Sequence, residues 1–211
     1  MYKTYIFDLD GTLLDTLNDL AAAVNYALRT HGMPEHSIDD VRRFVGNGVR
    51  KLMERAIPDG AANPQFDETF ATFRQYYMAH SLDTTRPYEG IPEALAALKA
   101  RGCRLAVVSN KMMAATQELC QHFFPDTIEV AIGENEAEGI RKKPAPDTVF
   151  AALKALGVGK EGAVYVGDSD VDIETARNSG LPCISVLWGF RDRDFLIQHG
   201  AKTFISDPGN L

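Results

Sequence analysis

TYIFDLDGT, residues 4 to 12, decides how the chain is to be read. Thr4, Tyr5, Ile6 and Phe7 are β-branched or aromatic, the composition of a strand buried on both faces. Two aspartates, Asp8 and Asp10, stand at its end, and Gly11 breaks it. A carboxylate beside so apolar a run must be paired, bound to metal or aimed into a wet crevice, because burying it bare costs at least several kcal/mol. The strand end therefore marks a reactive place.

A lone strand has no partner, so the sheet must come from elsewhere in the chain. Residues 16 to 30 space Leu17, Leu20, Val24, Ala27 and Leu28 by three and four, an amphipathic helix closed near Gly32 and Pro34. Ser37 suits the N-cap of a helix through Phe44, a Gly46-Asn47-Gly48 turn interrupts, and Val49, Leu52, Met53 and Ile57 mark the next helical face. Phe66, Phe70, Phe73 and Tyr77 mark another, the aromatic core of this module. Nothing from 16 to 83 alternates like a strand. From Pro87 the rhythm changes: CRLAVVSN, TIEVAIG, AVYVGD, PCISVLWG and TFIS read as strands, each separated from the next by a helical segment. That alternation predicts an α/β protein with a Rossmann-like, doubly wound parallel sheet. Residues 1–15 and 84–211 are expected to form the core, and 16–83 an α-helical cap domain inserted after the first strand.

In open α/β sheets, ligands sit beyond the carboxyl ends of the strands. That rule gathers Asp8 and Asp10 from the first strand, Ser109 and Asn110 from VVSN, and Asp168, Asp170 and Asp172 from GDSDVD, with Lys142 and Lys143 in a nearby loop. Carboxylates at this density repel one another unless a cation sits among them, and Mg2+ is the natural hard dication for oxygen ligands. A calcium loop fits poorly, since Ile173 stands where that loop needs glycine. Ser109, Asn110 and Lys143 offer a hydroxyl, an amide and an ammonium, which suit the negative oxygens of a phosphoryl group. One aspartate can then attack phosphorus, and another, two residues on, can protonate the leaving oxygen and later deprotonate water.

These segments resemble the haloacid dehalogenase-like superfamily of phosphohydrolases. DLDGT matches its first motif, Ser109 in VVSN its second, Lys143 in KKPAPD its third and GDSDVD its fourth. The resemblance implies Asp8 as nucleophile and Asp10 as general acid/base, with Ser109 and Lys143 completing the catalytic set. It also implies Mg2+ held by Asp8, the backbone carbonyl of Asp10 and Asp168, with Asp172 supporting it directly or through water. DTLNDLAAAVNYAL, RRFVGNGVRKLMERAI and GFRDRDFLIQHGA are similar to the phosphoglycolate phosphatase group, which points to 2-phosphoglycolate as substrate. Phosphatases of sugar phosphates, nucleotides or pyrophosphate, a phosphoglucomutase-type transferase and a non-catalytic phosphometabolite-binding protein are the alternatives.

Some residues stay ambivalent on sequence alone. Asp170 suits either an N-cap or a site member, and the VGNGV glycines either a plain turn or a loop reaching substrate. Arg50 and Lys51 could meet a substrate carboxylate. Trp188 and Phe190 read as the edge of the core, and His31 and His36 as surface residues.

Composition narrows the partners. A net charge of −7, with basic residues scattered, argues against nucleic acid or an anionic membrane as partner, and the small phosphorylated metabolite that the site residues imply needs a local positive site inside an acidic protein. No apolar run approaches the roughly 18 residues of a membrane helix, and the first strand begins without a signal peptide. Cys103, Cys120 and Cys183 are expected as separate buried thiols in a reducing cytoplasm. A monomer or weak homodimer is expected.

Overall fold

The computed structural model describes residues 2–134 and 136–211. The chain divides into two compact units, Met1–Leu14 with Pro87–Leu211, and Asp15–Arg86. Strands β1 (Thr4–Phe7), β2 (Leu14–Asp15), β3 (Arg86–Pro87), β4 (Arg104–Met112), β5 (Val130–Glu134), β6 (Ala163–Gly167), β7 (Cys183–Val186) and β8 (Phe204–Ile205) follow in chain order. Six of them form one sheet in the order β5-β4-β1-β6-β7-β8, and every pairing in it is parallel. This is the doubly wound order, whose strand succession reverses beside β1. β2 and β3, where the chain passes between the units, form a separate two-stranded sheet.

The TYIF segment explains why β1 takes the centre. Tyr5 and Phe7 face one core, with Leu105, Val107, Val164 and Val166, while Ile6 faces the other with Ala106, Val108 and Tyr165. Helices α5 (Ile91–Ala100) and α6 (Met113–Phe123) supply Ile91, Leu95, Leu98 and Leu119 to the first core. On the other face, α7 (Asp147–Leu156) and α8 (Asp170–Ser179) supply Val149, Leu153, Leu156 and Ala176. With both faces covered, β1 has no place for a charged side chain until the strand ends. Its end is where Asp8 stands.

The second unit carries α1 (Leu17–Thr30), α2 (Ile38–Phe44), α3 (Val49–Ala56) and α4 (Phe66–His80). Ser37 caps α2 in a reciprocal box with Asp40, as its sequence context predicts. Helices α1 and α4 pack along each other, burying Leu20, Val24, Phe73 and Tyr77, with Tyr26 stacked on Tyr76 at 4.1 Å. Phe70 is only half-buried, its face covered by the Arg50 and Arg74 guanidinium groups. The last helix of the sheet unit is α9 (Arg193–Gln198). Cys103 and Cys120 are buried and Cys183 is half-buried, all three as free thiols. Among the described residues, no helix is long and apolar enough to cross a membrane.

Candidate active site

The parallel register places the ends of β1 and β6 side by side, with Phe7 opposite Val166. Asp8 N still donates to Val166 O at 2.9 Å, so the ladder runs to the first residue of the site. Asp168 begins one residue beyond β6. The chain then turns directly into α8, and the sequence SDVD makes that turn compact: Ser169 is the N-cap and Asp172 closes the capping box. The capping reading of Asp170 therefore falls, since Ser169 takes that position.

Asp172 is fully buried and saturated. Its Oδ2 accepts from Asp168 N at 3.2 Å, Ser169 N at 3.1 Å and Ser169 Oγ at 2.6 Å. Its Oδ1 accepts from Lys143 Nζ at 2.8 Å and Tyr165 OH at 3.0 Å. Lys143 also reaches Asp8 Oδ1 at 2.8 Å and donates to Tyr165 OH at 3.1 Å. An ammonium has three protons, and these three partners match them. Burial alone would depress Lys143, but the charges of Asp172 and Asp8 outweigh it and hold its pKa above the usual lysine range. Asp8 Oδ1 accepts in addition from Leu9 N at 2.7 Å, so two donors fix the plane of its carboxylate.

Asp168 is oriented by the threonine of DLDGT and by a backbone group with no evident signal in the sequence. Thr12 Oγ1 donates to its Oδ1 at 3.1 Å, and Phe190 N to its Oδ2 at 2.7 Å. The segment after β7 thus folds back over the carboxylate, and Trp188 Nε1 pins it by donating to Thr12 O at 3.0 Å. Two glycines permit the approach. A Cβ on Gly189 would lie 2.3 Å from Asp168 Cβ, and one on Gly11, at φ +86°, would lie 2.4 Å from Asp168 Oδ2. Trp188 does pack against the core edge, as expected, but the same segment also shapes the site.

Asp8, Asp168 and Asp172 can each present an oxygen so that all three atoms lie within 4.8 Å of one another. One lysine does not neutralise three carboxylates. Burial, followed by the Asp172 charge, pushes Asp8 well above the usual carboxylate range despite Lys143, and the same two causes push Asp168 up to about 7. An all-oxygen, charge-excess donor set of this kind fits a hard dication.

The remaining expected residues lie on β4 and its extension. Ser109 is buried, and its Oγ accepts from Lys111 N at 3.2 Å. Asn110 spends its carboxamide on the backbone of Lys143, accepting from its N at 2.8 Å and donating to its O at 3.0 Å. The amide expected to meet phosphate thus staples the lysine loop to the strand end. Asp10 is gripped by Lys111, which sequence reasoning did not single out. The sequence ends this strand at Asn110, whereas β4 runs to Met112 through a register irregularity after Val108, so strand alternation gave no signal for Lys111. Lys142 points away, paired with Glu136 at 3.4 Å. In the helical unit, Arg50 and Lys51 are half-exposed and both pair with Glu54.

Comparison with known proteins gives this geometry its family. Residues 5–186 match the haloacid dehalogenase-like hydrolase family. The chain belongs to the haloacid dehalogenase-like hydrolases. It is 36% identical over 190 residues to the phosphoglycolate phosphatase of Aquifex aeolicus, covering 89% of this chain and 86% of that one. It is 30% identical over 211 residues to the N-acetylmuramic acid 6-phosphate phosphatase of Pseudomonas aeruginosa, covering 99% and 92%. A crystal structure of a candidate phosphoglycolate phosphatase from Lactobacillus delbrueckii subsp. bulgaricus superposes with a TM-score of 0.94 at 38% identity, covering 99% of this chain and 96% of that chain. Within the family, a parallel core with helices inserted after β1 and the Asp8, Asp168 and Asp172 cluster make this protein a Mg2+-dependent phosphoric-monoester hydrolase of the phosphoglycolate-phosphatase-like type.

Proposed function

We propose that this hydrolase cleaves 2-phosphoglycolate through an aspartyl phosphate formed on Asp8. The carrying observation is the placement of Asp8: its Oδ1 is held by Lys143 Nζ and Leu9 N, at 2.8 and 2.7 Å, beside Asp168 and Asp172. A carboxylate so fixed is oriented for in-line attack before substrate arrives. An Asp8 oxygen bonds to phosphorus as the ester P–O bond breaks, and Asp10 delivers a proton to the departing oxygen. Water then attacks phosphorus, Asp10 takes its proton, and the P–O bond to Asp8 breaks to free inorganic phosphate. Asp8, Asp168 and the Asp10 carbonyl would hold Mg2+, with Asp172, whose oxygens already accept from five donors, supporting it by charge or through water; when bound, the ion supplies positive charge to the carboxylates and the phosphoryl oxygens. Ser109 and Lys143 bind the phosphoryl group, while Asn110 keeps Lys143 in place.

The substrate rests on the relatives. Phosphoglycolate phosphatases from several bacteria match at 31–36% identity over about nine-tenths of this chain. A second reading, a sugar phosphate, draws on the N-acetylmuramic acid 6-phosphate phosphatase relative, which matches along 99% of the chain. Residues 15–86 act as the cap that chooses between esters, and Arg50 or Lys51 would serve a substrate carboxylate only by exchanging Glu54 for it. Three free cysteines suit the cytoplasm as the site of action.

Phosphate release from a panel of small esters, with and without Mg2+, decides among these. Selective turnover of 2-phosphoglycolate is expected, with Asp8→Asn lowering it about 10³-fold or more. Preference for amino-sugar or hexose phosphates would replace the substrate and keep the chemistry. Near wild-type turnover by Asp8→Asn, free of contaminating phosphatase, would overturn the nucleophile.

A further inference from the structure

The chain buries two lysine ammonium groups near the aspartates of DLDGT, and each attends to a different one. Lys143 holds Asp8 and Asp172. Lys111, with its side chain 1% exposed, holds Asp10: Nζ lies 2.8 Å from Oδ1 and 3.0 Å from Oδ2. Burying an ammonium is costly, and a buried ion pair often stabilises a fold no better than well-packed apolar residues would. Position 111 lies near the end of β4, whose earlier residues Leu105 through Val108 are apolar and buried. The cost of a lysine there is therefore better explained by chemistry than by folding.

The geometry defines what the lysine does. A cation close to both oxygens fixes the plane and direction of a carboxylate, which a single hydrogen bond would leave free to swing. Ser109, two residues back on β4, accepts through its hydroxyl from the Lys111 backbone. Strand β4 thereby carries the phosphate-binding hydroxyl and the Asp10 anchor as one rigid piece.

We propose that Lys111 is the positioning residue for Asp10, setting its carboxyl where it serves the leaving-group oxygen and then the attacking water. This rests on the reading of Asp10 as the acid/base group. It extends that reading by assigning the two halves of the chemistry to separate lysines: Lys143 for the nucleophile, Lys111 for the proton carrier. A carboxylate has about four acceptor sites, so a two-point grip orients it without exhausting it.

The test compares two small substrates that differ in their need for a proton. The leaving oxygen of 2-phosphoglycolate must be protonated, whereas acetate departs from acetyl phosphate as a stable anion. Lys111→Met is expected to lower kcat on 2-phosphoglycolate about a hundredfold, the low end of general acid–base contributions, with KM changed by less than about threefold. Single-turnover consumption of acetyl phosphate by excess enzyme should slow by less than about threefold, since that step needs no acid. Lys111→Arg should recover part of the loss. In an Asp10→Asn background, Lys111→Met should cost nothing further, because a residue acting only through Asp10 has nothing left to position.

Equal losses on both substrates, or a full additional loss in the Asp10→Asn background, would overturn the proposal and assign Lys111 to the fold or to the phosphoryl group. If Lys111→Met does not fold, Lys111→Gln enters the same cycle, and the same two results support or overturn the proposal. A wild type that consumes acetyl phosphate and another alkyl ester but not 2-phosphoglycolate changes the substrate alone, and the cycle is run on that ester. A wild type inactive on every ester would overturn the reading of the site itself.

Discussion

Asp19 in the helical unit and the Asp8, Asp168 and Asp172 cluster in the sheet unit are buried carboxylates built on opposite rules. Asp19 is 3% exposed and accepts from Thr84 N and Oγ1 and from Thr85 N and Oγ1, at 2.5 to 3.1 Å. Burial raises its pKa, but the threonine donors together outweigh it and hold the carboxyl below the usual range. Neutral donors thus satisfy one charge completely, and the start of α1 is tied to the segment that leads into β3. In the sheet unit three carboxylates share one lysine, and Asp8 and Asp168 are pushed up instead. The first arrangement lacks nothing; the second is charge-deficient until a dication joins it. Where a fold leaves local electrostatics unsatisfied, the violation marks the site of function.

The contrast yields its largest effect when one charge is removed from each place. Asp168→Asn should lower kcat about 10³-fold, a loss of the size seen when a preorganised electrostatic element is deleted. In metal-free buffer the same substitution should leave the thermal midpoint unchanged or raise it, since it relieves repulsion. Mg2+ at a hundred times its Kd should stabilise the wild type by about 2.7 kcal/mol and the variant far less. Calorimetry with and without Mg2+ reads both. A fall in the metal-free midpoint of Asp168→Asn would break the comparison by showing that this carboxylate, too, supports the fold.

Asp19→Ala gives the next largest effect, in the opposite sense. It removes the acceptor of four donor groups, two of them on buried Thr85 and two on exposed Thr84, and a hydrogen bond to a charged group contributes about 1.5–3 kcal/mol. A loss of about 2–4 kcal/mol in unfolding free energy is expected, with the stabilisation by Mg2+ retained. Denaturant unfolding at several Mg2+ concentrations checks it. A loss below about 1 kcal/mol would mean that water replaces the carboxylate readily and the latch is ornamental.

The sequence made one of these two regions far easier to read than the other. TYIF announces a central strand because both faces of β1 must be apolar, and a carboxylate straight after such a run has few innocent explanations. Asp168 and Asp172 follow AVYVG for the same reason. Asp19 carries no such signal: it is one acidic residue in the first turn of an amphipathic helix, and its partners lie 65 and 66 residues later. Strands β2 and β3, two residues each, are too short to show any periodicity. Asn110 was visible as an amide at a strand end, but only the fold reveals that it faces the Lys143 backbone. The Phe190 contact to Asp168 uses a backbone N–H, which every residue but proline possesses, so no side chain could betray it. Lys111 stands one residue beyond the strand that CRLAVVSN marks, and the register of β4 is irregular there, so alternation could not reveal it.

The smallest effect is the pH dependence of the metal-free protein, and there the two regions should pull in opposite directions. Asp19 has a folded pKa below its unfolded one, so its stabilisation is present above the unfolded pKa of about 3.9 and is lost as pH falls through the folded value. Asp168 has a folded pKa of about 7, above its unfolded one. Its contribution is therefore complete below about pH 3.9 and is lost as pH rises through 7. In chelator, the thermal midpoint should decline between about pH 5 and 8, by about 2–4 °C for each kcal/mol lost in a chain of this size. Saturating Mg2+ should abolish that decline, because a bound dication favours the ionised carboxylates, while leaving the acid-side loss from Asp19 in place. Asp168→Asn should flatten the decline without metal, and Asp19→Asn should flatten the acid limb alone. A midpoint that rises from pH 5 to 8 in chelator would show that the three carboxylates are already neutralised by the protein, and the distinction between a satisfied and an unsatisfied site would then disappear.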